Sequence, residues 1–234
     1  MKKLLPFAAT LALFILPATA FADTFVFNAT ATAGNISTST NSPSSPSYNG
    51  GASQFDLDHH NAYSWKLGGL SIPAGQSIIS ASICFKDIAN WDTNANKLFV
   101  HLLNTANNSG VASVIDNSND SSIADYFAGA NSLGPSGLGP DNIKLFEKSF
   151  NMVGQSGYVA QSYTYNFTAA QLATLAAYIN ANGNIAFGFD PDCHYWNNGI
   201  TFTYVTAPVP EPVSMLLLGT GLAGLYVRRR RQQN

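Results

Sequence analysis

Apolar and polar side chains alternate with a period of two through most of residues 24–205, the spacing that turns one face of a strand to a core and the other to solvent. The runs at 24–30, 63–67, 77–85, 98–103, 144–150, 161–167, 184–189 and 200–205 are rich in β-branched and aromatic residues. Turn signals such as Pro73-Ala74-Gly75 and Asn94-Ala95-Asn96 bound them. Eight or nine short strands spread over such a length must pair at long range. They predict a mainly β fold, a two-sheet antiparallel β-sandwich of jelly-roll type.

One segment changes period. Thr168 is a good N-cap, Gln171 completes a capping box three positions on, Phe167 and Leu172 occupy the staple positions, and Gly183 ends the segment. Leu172, Leu175, Ala176 and Ile179 line one face, so one α-helix is predicted over 168–182, packed on the sandwich. A second, short helix is expected over 122–127, before Gly129, Gly134 and Pro135 break the pattern. Residues 33–53, rich in Ser, Thr, Asn and Pro, carry too little apolar surface to order themselves and are expected to form a flexible loop.

The two ends of the chain read differently from its middle. Lys2 and Lys3 precede an apolar run over 4–16, and Ala20-Phe21-Ala22 is a small-x-small cleavage site. Residues 1–22 are therefore expected to be a signal peptide, removed by signal peptidase to leave Asp23 first; a cut after Ala20 is the alternative. Near the C-terminus, Pro210 and Pro212 hold Glu211 in extended backbone, residues 213–227 are apolar, and Arg228, Arg229, Arg230 and Arg231 follow. As a helix that run reaches about 22 Å against a hydrocarbon thickness of ~30 Å. It is expected to be a marginal C-terminal transmembrane helix, with its arginine flank on the cytoplasmic side. Between the two ends lie residues 23–207, a single ectodomain of 185 residues.

Pro-Glu-Pro, a short apolar helix and an arginine cluster, in that order over 208–234, resemble the PEP-CTERM sorting signal of Gram-negative envelope proteins. The resemblance implies a membrane-embedded exosortase that recognises Pro210, Glu211 and Pro212 and cuts nearby. The precursor would sit transiently in the inner membrane, and the ectodomain would pass to the cell surface or extracellular matrix. An ordinary tail anchor is the plainer alternative.

With both ends set aside, five basic residues face twelve acidic ones, a formal charge of −7. Nucleic acid and anionic lipid are poor partners for such a surface, whereas Ca²⁺ or a neutral glycan suits it. Cys84 and Cys193 fall in the exported part, where thiols are commonly oxidised, and an intramolecular disulfide between them is expected. Two buried thiols are the alternative.

Candidate chemistry lies in three loops rich in Asp and Asn, at 56–61, 87–94 and 190–198. Asp190 and Asp192 can converge on a hard cation, which makes calcium the candidate cofactor; Asx-turns between strands are the plainer reading. His59, His60 and His194 suggest zinc, but neighbouring histidines point to opposite sides of a strand. Trp91, Tyr195 and Trp196 lie in the same loops, and exposed rings beside Asp and Asn can stack on sugars. In this the ectodomain resembles jelly-roll carbohydrate-binding modules, with no residue string that matches a particular one.

No nucleophile elbow, zinc-protease helix, phosphate loop or dinucleotide fingerprint occurs, and the chain is not expected to be an enzyme. The reading is an exported, exosortase-processed protein with a structural or adhesive role in exopolysaccharide or biofilm. A calcium-dependent carbohydrate-binding module is the alternative, and a polysaccharide-active hydrolase, built on a spatial pair of carboxylates, the third.

Overall fold

The computed structural model describes residues 21–29, 55–90, 96–116, 123–128, 142–150, 160–209, 219–224, 226, 229 and 230. Most of the expected signal peptide (1–20), residues 33–53 that are expected to form a flexible loop, and Trp91, Pro210, Glu211, Pro212, Arg228 and Arg231 lie outside the described residues. In chain order the elements are β1 (Asp23–Asn28), β2 (Phe55–Leu57), β3 (Asn61–Gly68), β4 (Gln76–Asn90), β5 (Leu98–Leu103) and β6 (Gly110–Ile115). Then follow β7 (Asn142–Lys148), β8 (Gln161–Asn166), α1 (Ala169–Asn182), β9 (Asn184–Pro191), β10 (Tyr195–Asn197) and β11 (Ile200–Pro208).

Two antiparallel sheets result. In the first, the 15-residue β4 is the axis. Along one of its edges run β11, from Ile200 opposite Phe85 to Pro208 opposite Gln76, and then β10, with Tyr195 opposite Asn90. β1 flanks β11, β2 flanks β10, and β8 pairs with the other edge of β4. The second sheet runs β6-β3-β9-β5-β7. The pairs β1 with β11, β3 with β9, β4 with β8 and β5 with β7 are nested, outermost with outermost, so the chain is one long ribbon doubled back on itself and wrapped.

The inward faces of both sheets meet in one aromatic core. Phe187 of β9 sits 4.9 Å from Phe202 of β11, and Phe85 of β4 5.8 Å from Phe189 of β9, centroid to centroid. Fully burying each such ring contributes on the order of 2–3 kcal/mol, and the crossed arrangements add to that. β4 breaks register between Phe85 and Ile88, where Asp87 takes a φ of 47°. The Asp87 carboxylate accepts hydrogen bonds from Asn198 Nδ2 (3.0 Å) and Ser162 Oγ (3.3 Å), which hold the bulge in that left-handed conformation.

The expected helix forms where its caps place it. Thr168 Oγ1 accepts the Gln171 N–H at 3.3 Å, Gln171 Oε1 accepts the Thr168 N–H at 2.8 Å, and Gly183 closes the helix at φ 62°. Leu175 and Ile179 are its buried residues, packed between β4 and β9. The second helix does not form in the described part of its span: residues 123–128 make a turn, with the Ala128 N–H bonded to the Asp125 carbonyl at 2.9 Å.

The disulfide expectation is also overturned. Neither Cys84 nor Cys193 is in a disulfide. Cys84 lies mid-strand in β4 opposite Thr201, whereas the buried Cys193 thiol donates to Asn90 Oδ1 (3.1 Å) at the far end of that strand. Six strand residues separate the two positions, about 20 Å, and a disulfide spans less than about 7 Å between Cα atoms. In the tail, residues 219–224 are helical; among the described residues no helix is long and apolar enough to cross a membrane.

Candidate functional site

The most unusual chemistry lies on the outer face of the second sheet. In β9, Ile185, Phe187 and Phe189 point into the sandwich, so the alternate positions Ala186, Gly188 and Asp190 face outward. They do not meet water there, because the turn at 123–128 straps across this face with Phe127 at its centre. A Cβ on Gly188 would lie 2.8 Å from the Phe127 ring, so any larger residue would force that ring to shift. His101 of β5 sits opposite Gly188, its ring 5.5 Å from Phe127.

Under the strap is a group of buried carboxylates. Asp190 Oδ2 accepts the Tyr126 N–H at 2.6 Å, and Asp192 Oδ1 accepts the Ala124 N–H at 3.3 Å. The second oxygens, Asp190 Oδ1 and Asp192 Oδ2, are buried with no hydrogen-bond partner among the described residues. Burial pushes Asp190 up to about 8, and the charges of Asp116, Asp192 and Asp125 add to the effect against the Tyr126 bond. Burial likewise raises Asp192 to about 6. Asp125 itself pairs with buried His101, whose Nε2 lies 3.0 Å from Asp125 Oδ1 and whose Nδ1 meets Asn142 Oδ1 at 3.2 Å.

Asp190 and Asp192 are thus together, as the loop spacing suggests, but they are not satisfied as simple Asx-turns. Asp116, Asp125 and His101 join them from other elements, and no local signal in the sequence marks that meeting. Tyr195 and Trp196 take a different role from the exposed platform expected of them. Both lie in β10 and are buried, at 0% and 4% exposure, and the Tyr195 hydroxyl donates to Asn96 Oδ1 at 3.0 Å. Neither offers an open ring face. Near α1 and the start of β4 lies an apolar groove of about 560 Å³, lined by residues such as Ile72, Ile78 and Leu172 and by no charged group.

The chain is an antiparallel two-sheet β protein with one packed helix. The family model of the PEP-CTERM protein-sorting motif matches residues 208–231, and the chain is an exported, membrane-passing precursor addressed to exosortase. No curated protein and no solved structure matches it. The motif begins on the last residue of β11, and Val209 alone stands between that strand and Pro210. The Val209 N–H is itself bonded to the Gly75 carbonyl at 2.9 Å.

Proposed function

We propose that the ectodomain is a structural or adhesive component of the cell surface or the extracellular polysaccharide matrix, released there when exosortase cuts beside Pro210, Glu211 and Pro212. The nested strand pairing supports a jelly-roll sandwich. The observation that carries the scaffold reading is the burial of Tyr195 and Trp196: the loop best suited to stack a sugar spends its aromatic residues on the core. Residues 213–227 serve as the transient inner-membrane helix, with Arg228 to Arg231 as its cytoplasmic stop.

One observation favours a second reading, a calcium-dependent carbohydrate-binding module. Two buried carboxylate oxygens, on Asp190 and Asp192, have no hydrogen-bond partner among the described residues, which is costly, and a hard divalent cation supplies one. Catalysis has less support. Glu147, the one glutamate of the ectodomain, is held below the usual carboxylate range by hydrogen bonds from Lys144 and Lys97, whereas a general acid needs the opposite shift. Asp190 has that shift but no exposure to a substrate.

Co-sedimentation of the exported protein with exopolysaccharide from the producing cells tests the proposal. Binding that survives removal of Ca²⁺ is the expected result. Binding lost without Ca²⁺ transfers the case to the second reading, and no binding at all overturns both.

A further inference from the structure

The chain crosses between its two sheets twice at one place. Residues 58–60 carry it from β2 in the first sheet to β3 in the second, and residues 192–194 carry it back from β9 to β10. Pairing of Tyr195 with Leu57 sets the two crossings side by side. Asp58 Oδ1 lies 3.1 Å from His60 Nδ1, 3.7 Å from His194 Nε2 and 3.9 Å from His59 Nδ1. The His59 ring stands 3.9 Å from the His60 ring and 4.5 Å from the His194 ring. One ligand atom from each of Asp58, His59 and His60 falls within 4.8 Å of the others.

We propose that Asp58, His59, His60 and His194 form a structural site for one Zn²⁺ ion. Ligand atoms bound ~2.0–2.1 Å from a tetrahedral zinc lie about 3.4 Å from one another, and the three distances to Asp58 Oδ1 straddle that value. The strand rule that sends neighbouring histidines apart does not hold here, because 58–60 is a turn and not a strand. Asp58 Oδ1 accepts the His60 N–H at 2.9 Å, an Asx-turn that brings both rings around one carboxylate. Three imidazoles and one carboxylate suit zinc and discriminate against calcium and magnesium, which want oxygen alone.

With His194 turned in from the other crossing to join the three convergent ligands, four protein ligands leave no open coordination position, the pattern of a structural zinc rather than a catalytic one. An ion there ties the two sheet crossings to each other. It would do for this exported domain what a disulfide does for others, and it is a site separate from the Asp190 and Asp192 carboxylates. The inference stands whether or not the ectodomain binds glycan.

Cobalt titration of the metal-free, untagged full chain in detergent tests this. One equivalent of Co²⁺ should develop the intense visible bands of a tetrahedral site, Zn²⁺ should discharge them, and a millimolar excess of Ca²⁺ should not. His60→Ala removes a ring that is 57% exposed, so the core is not at risk, and it should weaken Co²⁺ binding by at least about a hundredfold. His194→Gln should do the same from the other crossing. Absence of tetrahedral bands in the native chain, or a His60→Ala chain that binds Co²⁺ as tightly as the native one, would overturn the proposal.

Discussion

Gly188 shows how much of this molecule turns on one missing methyl group. Its Cα carries the Phe127 ring, and the Phe127 strap carries the Ala124 and Tyr126 amides that bond Asp192 and Asp190. Gly188→Ala should therefore destabilise the protein by about 1–3 kcal/mol, the usual range for overpacking, and should also loosen the strap from the carboxylates. Chemical denaturation checks the first effect, and amide exchange at Tyr126 the second. An alanine variant as stable as the native protein, with Tyr126 still protected, would contradict this packing. Single residues were only partly legible in the sequence. Asp190 and Asp192 stand out because they share a loop, but Asp125, Asp116 and His101 reach them from elsewhere in the chain, which no spacing rule detects. Trp196 reads as exposed because Asp and Asn surround it, although those neighbours cap a three-residue strand with two paired edges.

Between elements, the end of β9 and the strap at 123–128 make a pH-sensitive joint. Asp190 and Asp192 are raised by burial above their unfolded values near 3.8, so the cation-free folded chain holds protons that the unfolded chain releases. Their contribution to stability is complete below about pH 4. It is lost as pH rises through about 6 for Asp192 and about 8 for Asp190, by up to about 1.4 kcal/mol per pH unit for each group. Asp58 and Glu147 are shifted down, so their opposite effect is confined to the acid side of pH 5. The metal-free protein should therefore melt at a lower temperature at pH 8 than at pH 5, and millimolar Ca²⁺ should reverse the loss at pH 8. Asp190→Asn with Asp192→Asn should abolish both responses. A metal-free melting temperature that rises between pH 5 and pH 8 would contradict the burial of these groups. The elements themselves were the most legible level. Long alternating runs and a complete capping box announce β3, β4, β5, β11 and α1 within a few residues. β2 and β10 are too short to show a period, and β6 is hidden by Gly110 and by the small residues Ala112 and Ser113.

At the scale of the whole molecule, the order of pairing explains how a sorting tag can be removed without loosening the fold. β11 is an inner strand, held by β1 on one side and β4 on the other, and Asp23, the expected first residue after export, pairs with Thr206 near its end. Both ends of the expected ectodomain are therefore sewn into one sheet, and a cut beyond Val209 breaks no strand pairing among the described residues. This nested closure was not readable from alternation alone, which reports which face a residue takes but not which strand it meets. Intact mass spectrometry of the protein recovered from outside the cell tests the central claim directly. A mass that begins at Asp23 and ends at or just beyond Val209, without residues 213–234, is the expected result. A recovered protein that still carries the apolar segment and its arginines would contradict exosortase processing and return the tail to the role of a permanent anchor.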